Sequence, residues 1–247
     1  MPFELTRTGI EGLDVMLGGG FPKGRCIIVT GGPGCGKTIL GVQFLWNGLS
    51  KFDEAGVLVV LEEDLDKLRE DMARLGFDLS KYENTKLKIV DHSLVTYLSH
   101  EEYEKMVKFL AMPTFKVASF IEAVKYAVKS LNAKRIVVDS LSALMFQEPD
   151  QVKRRTVTRL IFKTLRETGC TSLITCEIGG TPMERDYILE EYLADGVIML
   201  QGYNKEGHLI RGIRLEKMRG IAHDTQTRPY IIGQNGISVF PSEKVIT

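Results

Sequence analysis

Residues Gly31-Gly32-Pro33-Gly34-Cys35-Gly36-Lys37-Thr38 spell G-x-x-x-x-G-K-T, and few local patterns restrict the surrounding chain as tightly. Such glycines let a backbone wrap closely round an anion, but only if a strand delivers the loop and a helix receives it. Both neighbours are present. CIIVT (Cys26 to Thr30) is a β-rich apolar run, and ILGVQFLWNGLSK places Leu40, Phe44, Leu45 and Leu49 at helical spacing. Successive loop N–H groups and the helix N-terminus then face a phosphate. Lys37 adds a cation near the β- and γ-phosphates, and Thr38 offers its hydroxyl to Mg²⁺. The expectation is ATP or ADP with Mg²⁺, held by Gly31, Gly32, Pro33, Gly34, Cys35, Gly36, Lys37 and Thr38.

The rest of the chain extends this pattern. VLVVL (Val57 to Leu61), KLKIVD (Lys86 to Asp91), RIVVD (Arg135 to Asp139) and SLITC (Ser172 to Cys176) are apolar along their length, as strands covered on both faces should be. Helical patterns fill Leu65 to Leu75, Phe120 to Leu131 and Val152 to Thr168. After Asp195 come GVIMLQG, LIRGIRLEKM, RPYIIG and GISVF, separated by turn residues such as Asn204, Gly207 and Asn235-Gly236, which reads as an antiparallel extension. The fold class is α/β, with a mainly parallel central sheet flanked by helices and a C-terminal antiparallel β extension. With 247 residues and no linker or repeat, the expected organisation is one domain over residues 1–247. The stretch His92 to Ser119, interrupted by Pro113, reads as an insertion.

Composition narrows the partners. Formal charge is +0 with 26% charged residues, so no global field selects nucleic acid or membrane. No apolar run approaches the roughly 20 residues that cross a bilayer, and MPFELTRTGI lacks the basic-then-apolar design of a secretion signal, so the cytoplasm is the expected location. Cys26, Cys35, Cys170 and Cys176 have no metal-like spacing with the histidines and read as reduced thiols. Cys35, in a loop leading to a helix N-terminus, is either an inert filler or a reactive thiol that bound phosphates would protect.

A phosphate loop needs a second metal group and something to orient water. Asp139 closes RIVVD, at the sheet edge where open α/β folds bind ligands, and is the candidate for Mg²⁺, through a water. Capping the following helix is a compatible role. Glu62-Glu63 follow VLVVL; consecutive strand-end residues diverge, so one is expected to aim at the γ-phosphate, Glu63 by preference, with Glu62 beside it. Helix-start acids are the alternative.

Together these residues resemble a known family. Thr8-Gly9-Ile10-Glu11-Gly12-Leu13-Asp14 and Gly19-Gly20-Phe21-Pro22-Lys23-Gly24-Arg25 match the TGIxGLD and GGxPxG lead into the phosphate loop of KaiC-type ATPases, within the RecA-like P-loop superfamily. Glu62-Glu63 match that family's catalytic glutamates, Asp139-Ser140 its Walker B, Glu177 its TTE-like position, and LEKMRG (Leu215 to Gly220) with His223 its K-x-R-G element and nearby histidine. The resemblance implies a RecA-like core, ATP bound and hydrolysed at subunit boundaries of a homohexameric ring, and nucleotide contact by His223; within it, the first function class expected is a ring ATPase that couples hydrolysis to a protein partner. It differs in carrying one such domain where the clock protein has two, so a clock role is not implied.

Residues two apart on a strand share a face, so Lys217 and Arg219 would present two cations together. The resemblance directs them at an adjacent subunit's nucleotide; an edge strand protected by charge is the alternative. Autokinase activity is not expected, because where the family's second domain carries a serine-threonine pair this chain reads Glu190-Glu191-Tyr192-Leu193-Ala194-Asp195. A competing class is a recombinase-like, nucleic-acid-dependent ATPase, supported by Lys153, Arg154, Arg155, Arg159, Lys163 and Arg166. Val157, Leu160, Ile161 and Leu165 stripe the same helix, making its basic residues a solvated face. His92 to Ser119 and Gly179 to Tyr192, rich in loop residues, are the expected partner surfaces.

Overall fold

The computed structural model describes residues 4–91, 115–145, 150–178, 188–205 and 207–245. A short ribbon, β1 (Leu5–Thr6) with β2 (Phe21–Pro22), flanks the helical turn α1 (Leu13–Met16) and leads into the main sheet. That sheet comprises β3 (Cys26–Gly31), β4 (Gly56–Val60), β5 (Leu87–Asp91), β6 (Arg135–Asp139), β7 (Thr171–Glu177), β8 (Gly196–Lys205), β9 (His208–Met218), β10 (Arg228–Gly233) and β11 (Gly236–Val239), in the order β11-β10-β9-β8-β3-β7-β6-β4-β5. Strands β8, β3, β7, β6, β4 and β5 run parallel, and β9 to β11 continue antiparallel.

The helices are α2 (Lys37–Lys51), α3 (Leu65–Arg74), α4 (Phe115–Leu131), α5 (Leu141–Met145), α6 (Gln151–Glu167) and α7 (Leu189–Leu193). The apolar strands are covered on both sides, and their alternation assigns the side chains. Ile27, Val29, Leu58, Val60, Val137 and Leu173 enter one core with Leu40, Phe44 and Leu45 of α2 and Leu68 and Met72 of α3. Cys26, Ile28, Val57, Val59, Ile136, Val138 and Ile174 enter the other, with Phe120 and Val124 of α4 and Val157, Ile161 and Leu165 of α6.

One buried cation pins the first core. Arg135, 1% exposed, donates to Glu54 Oε2 at 2.6 Å, Phe44 O at 2.8 Å and Arg7 O at 2.9 Å, and stacks 4.5 Å from the Phe44 ring centroid. A Cβ at Gly48 would sit 2.5 Å from its Cδ, so glycine there makes room for it.

Several expectations need correction. Residues 115–119 open α4, so that part of the expected insertion is helix; 92–114 lie outside the described residues. Likewise 179–187 lie outside them, but 189–193 form α7 with Glu190 and Glu191 buried, because both carboxylates find internal partners (Arg154 for Glu190, the Ile188 N–H for Glu191). Asn204 is not a turn residue: it pairs with Leu209 inside the β8–β9 ladder. The Asn235-Gly236 turn is as expected, Gly236 taking φ +86°.

Candidate functional site

β3 lies between β7 and β8, and the glycine loop leaves its C-terminal end. Gly34 has φ +71° and Gly36 φ +87°, a region side chains rarely enter. A Cβ at Gly34 would meet nothing within 4 Å; this glycine serves the loop's turn and leaves space open where a phosphate would sit. Lys37 Nζ folds back onto Gly31 O at 2.9 Å and Gly32 O at 3.1 Å, which holds the ammonium over the loop. Tyr230 donates to Cys35 O at 2.6 Å, bracing the loop from β10. The Cys35 side chain is buried in the first core, so the reactive-thiol alternative is not supported: the loop turns that side chain inward, away from solvent.

A cleft of about 350 Å³ opens below the loop. Its walls include Pro33, Gly34, Gly36, Lys37 and Thr38 from the loop and α2, Glu62 and Glu63 after β4, Asp139 and Ser140 after β6, and Glu177 at the end of β7. β4, β6 and β7 are brought there by parallel pairing, which sets Val60 beside Asp139 and Val138 beside Ile174. The peptide joining Asp139 to Ser140 is cis. Leu61 N donates to Asp139 O at 2.8 Å, so the glutamate pair starts from a fixed point next to Asp139.

Strand alternation does not separate the two glutamates as expected: both line the cleft, because β4 ends at Val60 and the chain bends through residues 61–63. Hydrogen bonding separates them instead. Ser140 Oγ donates to Glu62 Oε2 at 2.6 Å, whereas Glu63 has its carboxyl pushed above the usual glutamate range, mainly by burial and next by the charge of Asp139. The helix-start role falls to Asp64, which caps α3 by accepting from Lys67 N at 3.0 Å.

The donor set suits magnesium with a nucleotide. Among the described residues no group of three or more His, Cys, Asp and Glu is placed to hold a metal alone. Thr38 and Asp139 offer hard oxygens in the lining of one cleft, and Mg²⁺ commonly takes one or two protein oxygens with phosphates and water completing its octahedron.

Lys217, Arg219 and His223 stand elsewhere. Gly196 pairs with Ile27 and with Met218, and Arg219 N donates to Asp195 O, so the end of β9 lies at the N-terminal edge of the parallel strands. The glycine loop leaves the opposite edge, roughly 17 Å away along β3 at about 3.3 Å per residue. Lys217 Nζ donates to Glu191 O at 2.9 Å and Tyr192 O at 3.3 Å, and Arg219 reaches Tyr192 O at 3.5 Å; the two cations do converge. Burial and the neighbouring Arg219 lower the Lys217 pKa. His223 sits in the following turn, its Nδ1 3.3 Å from Ile221 O and its buried Nε2 without a hydrogen-bond partner among the described residues.

Half of the basic series of α6 is ion-paired: Arg154 with Glu190 at 2.8 Å and Arg166 with Asp195 at 2.8 Å, both buried carboxylates, and Lys163 with Glu167 at 3.7 Å on the exposed face. Thr175, which touches Asp139, was not found as a functional residue from the sequence, because a hydroxyl on a neighbouring strand carries no spacing signal; Ser140 was named beside Asp139, but not as the partner of Glu62. Among the described residues no helix is long and apolar enough to cross a membrane.

Comparison with known proteins identifies relatives of the whole chain and of its fold. A family model described as "ATPase: KaiC" matches residues 6–244. The UPF0273 protein of Pyrococcus furiosus is 36% identical over 245 residues, covering 96% of this chain and 94% of that one. The circadian clock oscillator protein KaiC of Prochlorococcus marinus is 34% identical over 246 residues, which span 98% of this chain but 47% of that protein. Among solved structures, the KaiC-like protein of Pyrococcus horikoshii superposes with TM-score 0.82 at 35% identity, covering 97% of this chain and all of that one.

Proposed function

This chain belongs to the KaiC family of ATPases, and from that premise we propose that it hydrolyses Mg-ATP at the boundaries of a homo-oligomeric ring and couples the cycle to a protein partner. The observation that carries the reading is the convergence of loop, Lys37, Thr38, Glu63 and Asp139 on one cleft. When bound there, magnesium would neutralise phosphate charge, held by Thr38 and Asp139. Lys37 would exchange its loop carbonyls for β- and γ-phosphate oxygens. Glu63, which lines the cleft and whose carboxyl burial and Asp139 hold above the usual glutamate range, orients the attacking water, while Glu62 stays tied to Ser140. Lys217 and Arg219, too far from their own loop, serve the nucleotide of the adjacent subunit, with His223 beside them at that boundary. The recombinase-like alternative has no comparable support, since three of its six cations are already paired.

Calorimetric titration with ATP tests the assignment. Lys37→Ala should weaken binding with or without Mg²⁺, whereas Thr38→Ala should lose chiefly the Mg²⁺-dependent part. Unchanged affinity in Lys37→Ala would sink the phosphate-loop reading.

A further inference from the structure

We infer that Thr175 is a positioning residue for the metal site, acting through Asp139. Thr175 lies on β7, fully buried, and the β6–β7 register sets Val138 beside Ile174, so the next pair places Thr175 beside Asp139. Its Oγ1 donates to Asp139 Oδ1. Among the described residues no other hydrogen bond to that carboxylate is present, and the carbonyl of Val138 is the longer alternative for the same hydroxyl, at 3.4 Å. A threonine has one hydroxyl proton. Spent on Oδ1, it fixes the rotation of the Asp139 carboxyl and leaves Oδ2 unclaimed by this hydroxyl, in a carboxyl that lines the cleft together with Thr38.

The arrangement has a reason in the surrounding charge. Asp139 and Glu63 line the same cleft, and the charge of Asp139 adds to the cost of ionising Glu63. A carboxylate free to rotate would relax away from Glu63, and the metal would have to recover that displacement on binding. β7 is held on both sides by parallel ladders to β3 and β6, so its hydroxyl is a rigid support. Valine has nearly the same shape, so filling the core cannot by itself account for threonine at this position.

The inference rests on the Mg-ATP reading, and the experiment separates the two. Mg²⁺ is titrated into the protein with ADP, following nucleotide affinity by calorimetry, for the unsubstituted chain, Thr175→Val and Thr175→Ser; thermal unfolding without Mg²⁺ or nucleotide is measured alongside. Loss of a group that orients a metal ligand typically weakens the metal roughly ten-fold or more. Thr175→Val should therefore need about ten-fold more Mg²⁺ for half-maximal enhancement, with metal-free ADP affinity unchanged, and Thr175→Ser should restore the response. In an Asp139→Asn background, Thr175→Val should shift the Mg²⁺ midpoint no further. If Thr175→Val does not fold, Thr175→Ala carries the same test, since it also lacks the hydroxyl. An unchanged Mg²⁺ midpoint without the hydroxyl, or an equal loss with and without metal, overturns the role of Thr175. No Mg²⁺ enhancement in the unsubstituted protein overturns the Mg-ATP reading itself.

Discussion

Completion of the site by a neighbouring subunit gives a quantitative outcome. Lys217 and Arg219 sit at the N-terminal edge of the parallel strands, roughly 17 Å from the loop of their own chain along β3, and the ladders to β8 and β9 leave no freedom to cross that distance. A subunit with Glu63→Gln lacks the group that orients water but still carries intact cations. One with Arg219→Ala has an intact cleft but lacks a cation for its neighbour, a loss that can amount to about 10³ to 10⁵ in rate. Each variant alone should be nearly inactive. Co-assembled at equal amounts with random exchange, about one interface in four joins an intact cleft to intact cations, so hydrolysis should return to about a quarter of the unsubstituted rate if interfaces act independently in a head-to-tail ring. The assay is steady-state phosphate release from mixtures across the full range of ratios, with subunit exchange verified by native mass spectrometry. A rate that stays at the baseline of the single variants despite proven exchange refutes the reasoning, as does full turnover by a monomer.

The two adjacent glutamates should separate: Glu63→Gln is expected to bind ATP nearly normally and lose nearly all turnover, while Glu62→Gln loses less because it alters the anchor on Ser140. If single-turnover rates rank the other way, the roles are reversed. Arg135→Met should destabilise the fold by about 3–5 kcal/mol, since it strands Glu54 and two carbonyls; a shift below 1 kcal/mol in denaturant unfolding would show that the buried cation contributes little. Incubation with Mg-ATP should leave the intact mass unchanged, because 190–195 offers no aliphatic hydroxyl; a phosphate adduct on Tyr192 or elsewhere is the contrary result.

The fold was legible because its signals are local. The apolar runs from Cys26, Val57, Arg135 and Ser172 became strands within a residue or two of their expected bounds, since a strand buried on both faces must be apolar throughout. The glycine spacing named the phosphate loop, and the carboxylates at the ends of β4 and β6 could be named because a parallel sheet collects its strand ends along one edge. What the sequence by itself could not determine depends on which strands become neighbours. The order β3-β7-β6-β4 brings Thr175 to Asp139 and Ser140 to Glu62, contacts 36 and 78 residues apart in the chain. The bend after Val60, where strand alternation stops, lets both glutamates face the cleft and leaves hydrogen bonding to distinguish them. The opposite edge holding Lys217 and Arg219 follows only from the antiparallel return of β9 on β8. Local pattern selects the elements, but long-range pairing decides which charges meet, because the hydrogen bonds that fix register join residues whose separation along the chain encodes nothing about their distance in space.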